Sequence, residues 1–170
     1  MKRIYNFNAG PAMLPLEVLQ EVQAELLDLQ GSGMSILEMS HRAPVYEKIN
    51  AEAEADIKEL LGLGDDYCVL FMGGGASLQF SMVPMNFLGA GQTAAYAVTS
   101  NFSDKAVKEA EKVGNVVVPF SSKAEKYDRV PQPGEIRLPE NCAYLHITAN
   151  NTIEGTEYSV YPETGEVPLI

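Results

Sequence analysis

Cysteine, histidine and positive charge are all scarce in this sequence, and each shortage closes off a class of function. Two cysteines, Cys68 and Cys142, and two histidines, His41 and His146, argue against a zinc site. Both cysteines lie in apolar runs and read as buried free thiols. Two cysteines in 170 residues form no disulfide framework, although one bridge between them stays open, and a reducing cytoplasm is the expected setting. Twelve Lys and Arg stand against 23 Asp and Glu, a net charge of −11. Such a surface repels nucleic-acid backbones and anionic membranes, while a local basic pocket can still hold an anion. No apolar run approaches the roughly 20 residues of a membrane helix. The opening Met1–Asn6 lacks the apolar stretch of a signal peptide. There is no internal repeat, no Gly-Lys-Ser/Thr phosphate loop and no G-x-G-x-x-G. What is abundant is apolar residue, 46% of the chain, enough for the core of a soluble globular domain.

The pattern along the chain is helical first and mixed later. Residues up to Leu14 read as a loop broken at Gly10-Pro11. Pro15 suits a helix start, and Val18, Leu19, Val22, Leu26 and Leu29 follow at helical spacing until Gly31 and Gly33. A second helix is expected from Pro44, with Tyr46, Ile49, Ala53, Ile57 and Leu60 as its stripe and Gly62 and Gly64 as its stop. Tyr67–Met72 is continuously apolar and predicts a strand buried on both faces. After Gly73-Gly74-Gly75, residues Ala76–Leu88 are apolar almost all round, which predicts a buried helix readjusted at Pro84. Strands are then expected at Thr93–Val98, at Asn115–Pro119 (ending at the proline) and at Cys142–Thr148, with another begun at Val167–Ile170. A helix is expected over Asp104–Val113, and residues 121–140 form a polar, proline-bearing excursion. Alternating strands and helices imply an α/β fold with a mainly parallel sheet flanked by helices.

Three turns stand out as candidate binding elements. Gly73–Ser77 joins a strand to a helix start, where glycines admit a ligand to the backbone and unpartnered N–H groups attract an anion. On these five residues alone, a phosphate site and a plain tight turn fit equally well. Phe102 follows a strand, placing an aromatic at the sheet edge where open α/β sheets bind ligands, although a core residue opening a helix is the plainer possibility. Asn150-Asn151-Thr152 follows another strand at that edge, with small polar groups able to bond a ring hydroxyl or phosphate, or merely to form a turn. Upstream, His41-Arg42 offers a cationic fork for carboxylate or phosphate, or else a surface pair beside a helix. His146 lies inside a buried strand and reads as a satisfied core histidine. Carboxylates such as Asp65-Asp66, Glu52 and Glu54 read as solvated faces.

Four motifs in order, Asn6-Phe7-Asn8-Ala9-Gly10-Pro11-Ala12, Met39-Ser40-His41-Arg42, Phe71–Phe80 and Asn150–Thr156, together resemble the phosphoserine aminotransferase family of class-V aminotransferases. The resemblance implies an aspartate-aminotransferase-like large domain (fold type I), pyridoxal 5′-phosphate as cofactor, and a cytoplasmic homodimer of serine and pyridoxine biosynthesis. Its substrates would be small molecules, with an amino group moving between glutamate and 3-phosphohydroxypyruvate to give 2-oxoglutarate and phosphoserine. By position, Ala76 and Ser77 would bind the cofactor phosphate, Phe102 would stack on the ring, and Thr152 would bond the ring's oxygen substituent. Arg42, helped by His41, would hold a substrate carboxylate or phosphate. The family usually carries tryptophan where this sequence has Phe102, so a retuned stacking site is expected. Residues 1–14 would be an arm and residues 15–170 an incomplete cofactor-binding domain without the C-terminal domain. The Schiff-base lysine and the carboxylate partner of the pyridine nitrogen would lie beyond Ile170, so no residue here is assigned as catalytic and the isolated chain is expected to be inactive. Alternatives are a non-catalytic phosphate or cofactor-binding fragment, and another fold-type-I enzyme such as an alanine–glyoxylate aminotransferase or a cysteine desulfurase.

Overall fold

The computed structural model describes residues 3–170, which divide into two compact units meeting between Phe71 and Met72. In the first unit, helix α1 (Leu16–Glu25) begins directly after Pro15, as expected. It stops short of the anticipated glycines, and Leu29 is buried instead within a single 3-10 turn, Leu29–Gly31. Helix α2 (Pro44–Leu61) has proline in its first turn and ends on Gly62, whose left-handed φ of +64 lets its N–H reach the carbonyls of Glu59 and Lys58.

The strand expected at Tyr67–Met72 does not form. Tyr67, Leu70, Phe71 and Met72 are exposed, and so is Cys68, which was expected to be a buried thiol. An apolar run becomes a strand only when a neighbour completes its hydrogen-bond ladder. Among the described residues no strand pairs with this segment.

The second unit carries the sheet. Helix α3 (Gly75–Phe87) is followed by β1 (Thr93–Val98), α4 (Asn101–Ala110), β2 (Asn115–Ser121) and β3 (Cys142–His146). The three strands are parallel in the order β2-β1-β3. A short bridge pairs Leu169 in parallel with Leu145, so the expected strand at Val167–Ile170 does begin beside β3. Every residue of β1 is buried. Ala94, Tyr96 and Val98 face Phe80 and Val83 of α3 and Ala106, Val107 and Ala110 of α4. Ala95 and Ala97 face away from the helices, toward Phe120, Val130, Ile136, Leu138 and Tyr158. The polar excursion is therefore the second cover of the sheet.

Two expected boundaries move, and one helix is less buried than its composition suggests. Helix α4 starts three residues earlier than its apolar pattern suggests, because Ser100 and Ser103 form a reciprocal capping box. Strand β2 continues through Pro119: Ala95 pairs with Val117 but Ala97 with Phe120, so the proline falls in a bulge of an edge strand, where its missing N–H does no harm. Helix α3 is not buried all round. Phe80, Val83 and Pro84 face the core, whereas Leu78, Met85 and Phe87 are largely exposed, since only one side of the helix meets the sheet. The helix runs unbroken through Pro84.

Candidate functional site

Helix α3 runs antiparallel to the strands. Phe80 meets His146 edge-on at 6.4 Å, and Phe87, two turns later, meets Tyr144 at 6.5 Å, closer to the start of β3. The first turn of α3, with Ala76 and Ser77, therefore lies toward the carboxyl edge of the sheet. Gly74 and Gly75 create that turn with φ values of +84 and +58. A Cβ on Gly74 would come within 2.7 Å of Leu78 Cβ, so the backbone there passes where no side chain fits. The helix has no side-chain cap, and its first internal bond is Leu78 N–H to the Gly74 carbonyl, 3.3 Å. The N–H groups of Gly75, Ala76 and Ser77 find no acceptor among the described residues, and the stretch Gly73–Leu78 is exposed. Unpaired donors at the positive end of a 13-residue helix suit a phosphate-sized anion.

The neighbouring helix start is closed by comparison. Ser103 N–H donates to Ser100 Oγ at 3.1 Å, and Asn101 N–H donates to Glu154 Oε1 at 3.0 Å. Those two donors are answered by the protein, whereas the first three of α3 are not. Phe102, in the first turn of α4, is half-buried, and the Lys105 ammonium lies 5.6 Å from its ring centroid.

Thr152 is exposed in the turn of a small antiparallel hairpin, β4 (Asn150–Asn151) with β5 (Thr156–Glu157). The turn closes through Gly155 N–H to the Asn151 carbonyl, 2.7 Å, with Gly155 at φ +76. Asn151 is buried, and its amide donates to Thr156 Oγ1 at 2.9 Å and to Thr99 Oγ1 at 3.4 Å. It secures the hairpin to the end of β1. Ala76, Ser77, Phe102 and Thr152 thus all stand on turns at the carboxyl edge of one sheet, where open α/β folds receive ligands.

His146 is buried, as expected, but not satisfied. Its ring stacks on Tyr96 at 4.8 Å while Nδ1 has no hydrogen-bond partner. Burial lowers its pKa from 6.5 to about 4, so the ring is neutral. Tyr96 and Tyr144 share a 2.8 Å hydroxyl bond, and burial pushes both phenols upward. In the first unit, Ser40–Ala43 forms a turn closed by Ala43 N–H to the Ser40 carbonyl, 2.9 Å. His41 and Arg42 lie exposed at its tip, and the Arg42 guanidinium has no ion-pair partner among the described residues. The residue that sequence reasoning missed is Glu154, whose partner Asn101 lies 53 positions away. No short-range pattern could reveal that pairing.

No group of three or more His, Cys, Asp and Glu among the described residues could hold a metal, and no helix there is long and apolar enough to cross a membrane. The model of the class-V aminotransferases matches residues 4–166. Phosphoserine aminotransferase of Niallia circulans is 56% identical over 169 residues, 99% of this chain and 47% of that protein. That of Desulfatibacillum aliphaticivorans is 54% identical, covering 99% of this chain and 46% of the relative. Among solved structures, the phosphoserine aminotransferase from Bacillus circulans subsp. alkalophilus superposes with a TM-score of 0.91 at 55% identity, covering 98% of this chain and 46% of that one. The PLP-bound enzyme from Trichomonas vaginalis gives 0.85 at 37% identity, over 98% of this chain and 47% of that one. The chain spans about half the length of the curated relatives it matches. Its α/β architecture, with helices flanking a parallel sheet, is the fold-type-I architecture expected from the sequence. The chain belongs to the class-V aminotransferase family.

Proposed function

We propose that this chain is the cofactor-binding portion of a phosphoserine aminotransferase, moving an amino group between glutamate and 3-phosphohydroxypyruvate. The observation that carries the proposal is the 56% identity to such an enzyme across 99% of the chain. The geometry agrees with it, since an uncapped helix start behind two left-handed glycines suits the phosphate of pyridoxal 5′-phosphate. In this assignment the backbone at Ala76 and Ser77 and the Ser77 hydroxyl hold that phosphate. Phe102 packs on the pyridine ring, with phenylalanine supplying a smaller stacking face than tryptophan. The Thr152 hydroxyl bonds the ring oxygen. Arg42, with His41, takes a substrate carboxylate or phosphate through its planar fork.

When bound, the cofactor supplies the electron sink that lets the amino acid's α C–H bond break. The assigned residues orient it and exclude water from its face. No lysine of this sequence is assigned to the proton transfer. Lys105 belongs to the Phe102 contact, and the reacting lysine is proposed to lie outside these 170 residues. On the same proposal, residues 1–14 are an arm, residues 15–170 belong to the large domain, and the whole enzyme works as a cytoplasmic homodimer in serine and pyridoxine biosynthesis.

The test is an amino-transfer assay on the whole protein, with phosphoserine and 2-oxoglutarate, or alanine and glyoxylate. Glutamate formed from the first pair is the expected result. Turnover of alanine with glyoxylate and none of phosphoserine would replace the substrate assignment. The 170-residue chain alone is expected to form no glutamate.

A further inference from the structure

Asn101 immediately precedes Phe102 at the start of α4, and Glu154 follows Thr152 by two residues in the hairpin turn. One carboxylate oxygen of Glu154, Oε1, accepts both the Asn101 backbone N–H and its side-chain amide, each at 3.0 Å. The second oxygen, Oε2, is buried without a partner. A carboxylate receiving two N–H groups at a helix N-terminus forms charge-assisted bonds in a favourable field. The hairpin it holds has two residues per strand, too few to fix its own orientation. Tyr158, directly after β5, anchors the base of the hairpin in the cluster with Ala95 and Ala97, while the side-chain hydrogen bond from Asn151 to Thr99 is long at 3.4 Å.

We propose that Glu154 is a positioning residue of the cofactor site: through Asn101 it locks the turn carrying Thr152 against the turn carrying Phe102. The inference rests on the assignment of Phe102 and Thr152 to pyridoxal phosphate. The latch joins a helix start to a hairpin turn, with Asn101 and Glu154 both outside the two hydrophobic clusters, so its loss disturbs the spacing of the two contacts and leaves the core packed. It also occupies the first backbone donor of α4, the Asn101 N–H.

The experiment uses the whole protein and three variants: E154A, E154Q and N101A. Pyridoxal phosphate affinity is measured by titration, and the circular dichroism of the bound cofactor is recorded near its visible band. E154A is expected to weaken binding about tenfold and to change the cofactor's dichroic band, with thermal unfolding of the cofactor-free protein little altered. Glutamine keeps an acceptor oxygen, so E154Q should return to within about threefold of the unmodified protein. N101A, which removes one of the two bonds, should fall between them. Unmodified protein that does not bind pyridoxal phosphate overturns the site assignment and the latch with it. Normal binding by the unmodified protein with affinity and dichroism unchanged in E154A overturns the latch alone. If E154A does not fold, N101A decides in its place, and an unchanged N101A signal counts against the latch.

Discussion

At Gly74 the backbone combines a left-handed φ of +84 with a Cβ position 2.7 Å from the Leu78 side chain. Alanine there must adopt a conformation costing about 1–2 kcal/mol and displace atoms close to the Leu78 backbone. Gly74→Ala is therefore expected to lower stability by at least that amount in urea titration and to weaken pyridoxal phosphate binding in the same protein. Unchanged stability would show that the turn relaxes freely. His146 makes a separate prediction. Its pKa lies near 4 in the folded protein and 6.5 ordinarily, so between those values the unfolded chain binds a proton that the folded chain does not. Its contribution to stability is complete above about pH 6.5 and is lost as pH falls toward 4, at roughly 1 kcal/mol for each pH unit. His146→Phe should flatten the pH dependence of the urea midpoint in that window, and parallel curves for the two proteins would count against it. The glycines and the histidine were visible in the sequence. The unpaired Nδ1 was not, because it depends on what lies across β1 and under α3.

Two parallel helices start at the same sheet edge with opposite fates. The backbone leading into α4 is satisfied internally: Ser103 Oγ accepts the N–H groups of Thr99 and Ser100, each at 2.9 Å, in surroundings with no exposure. Ser103→Ala leaves two buried donors unpaired and should cost about 2–4 kcal/mol in chemical unfolding, read from far-ultraviolet circular dichroism. A loss under half a kcal/mol would mean water replaces the hydroxyl. The start of α3 has no such cap, and its unpaired N–H groups suit an anion. Element type was legible wherever local pattern and pairing agreed, as at β1 and β3. It failed at Tyr67–Met72, where the apolar run is present and the partner strand is not. It slipped at α4, whose serine cap resembles ordinary loop residues, and at Pro119, which an edge-strand bulge accommodates.

Across the whole molecule, large apolar side chains remain in water: Leu60, Leu70 and Met85 are 84%, 70% and 70% exposed. Surfaces of this kind are covered in stable proteins. The 170-residue chain by itself is expected to associate, eluting ahead of its monomer position in size exclusion at micromolar concentration, whereas a sharp monomer peak would show that these residues are tolerated. Composition, the alternation of strands with helices and four short motifs determined the α/β class, the acidic character and the family, because those properties reside in residue type and spacing. Tertiary structure decided the rest: which helix start stays open, which polar groups lose their partners, and that Glu154 meets Asn101 across 53 residues. Such contacts depend on which segments the sheet brings side by side. The glycine turn was legible from the beginning; that its helix start stays open while the neighbouring one carries a capping box emerged only from the fold.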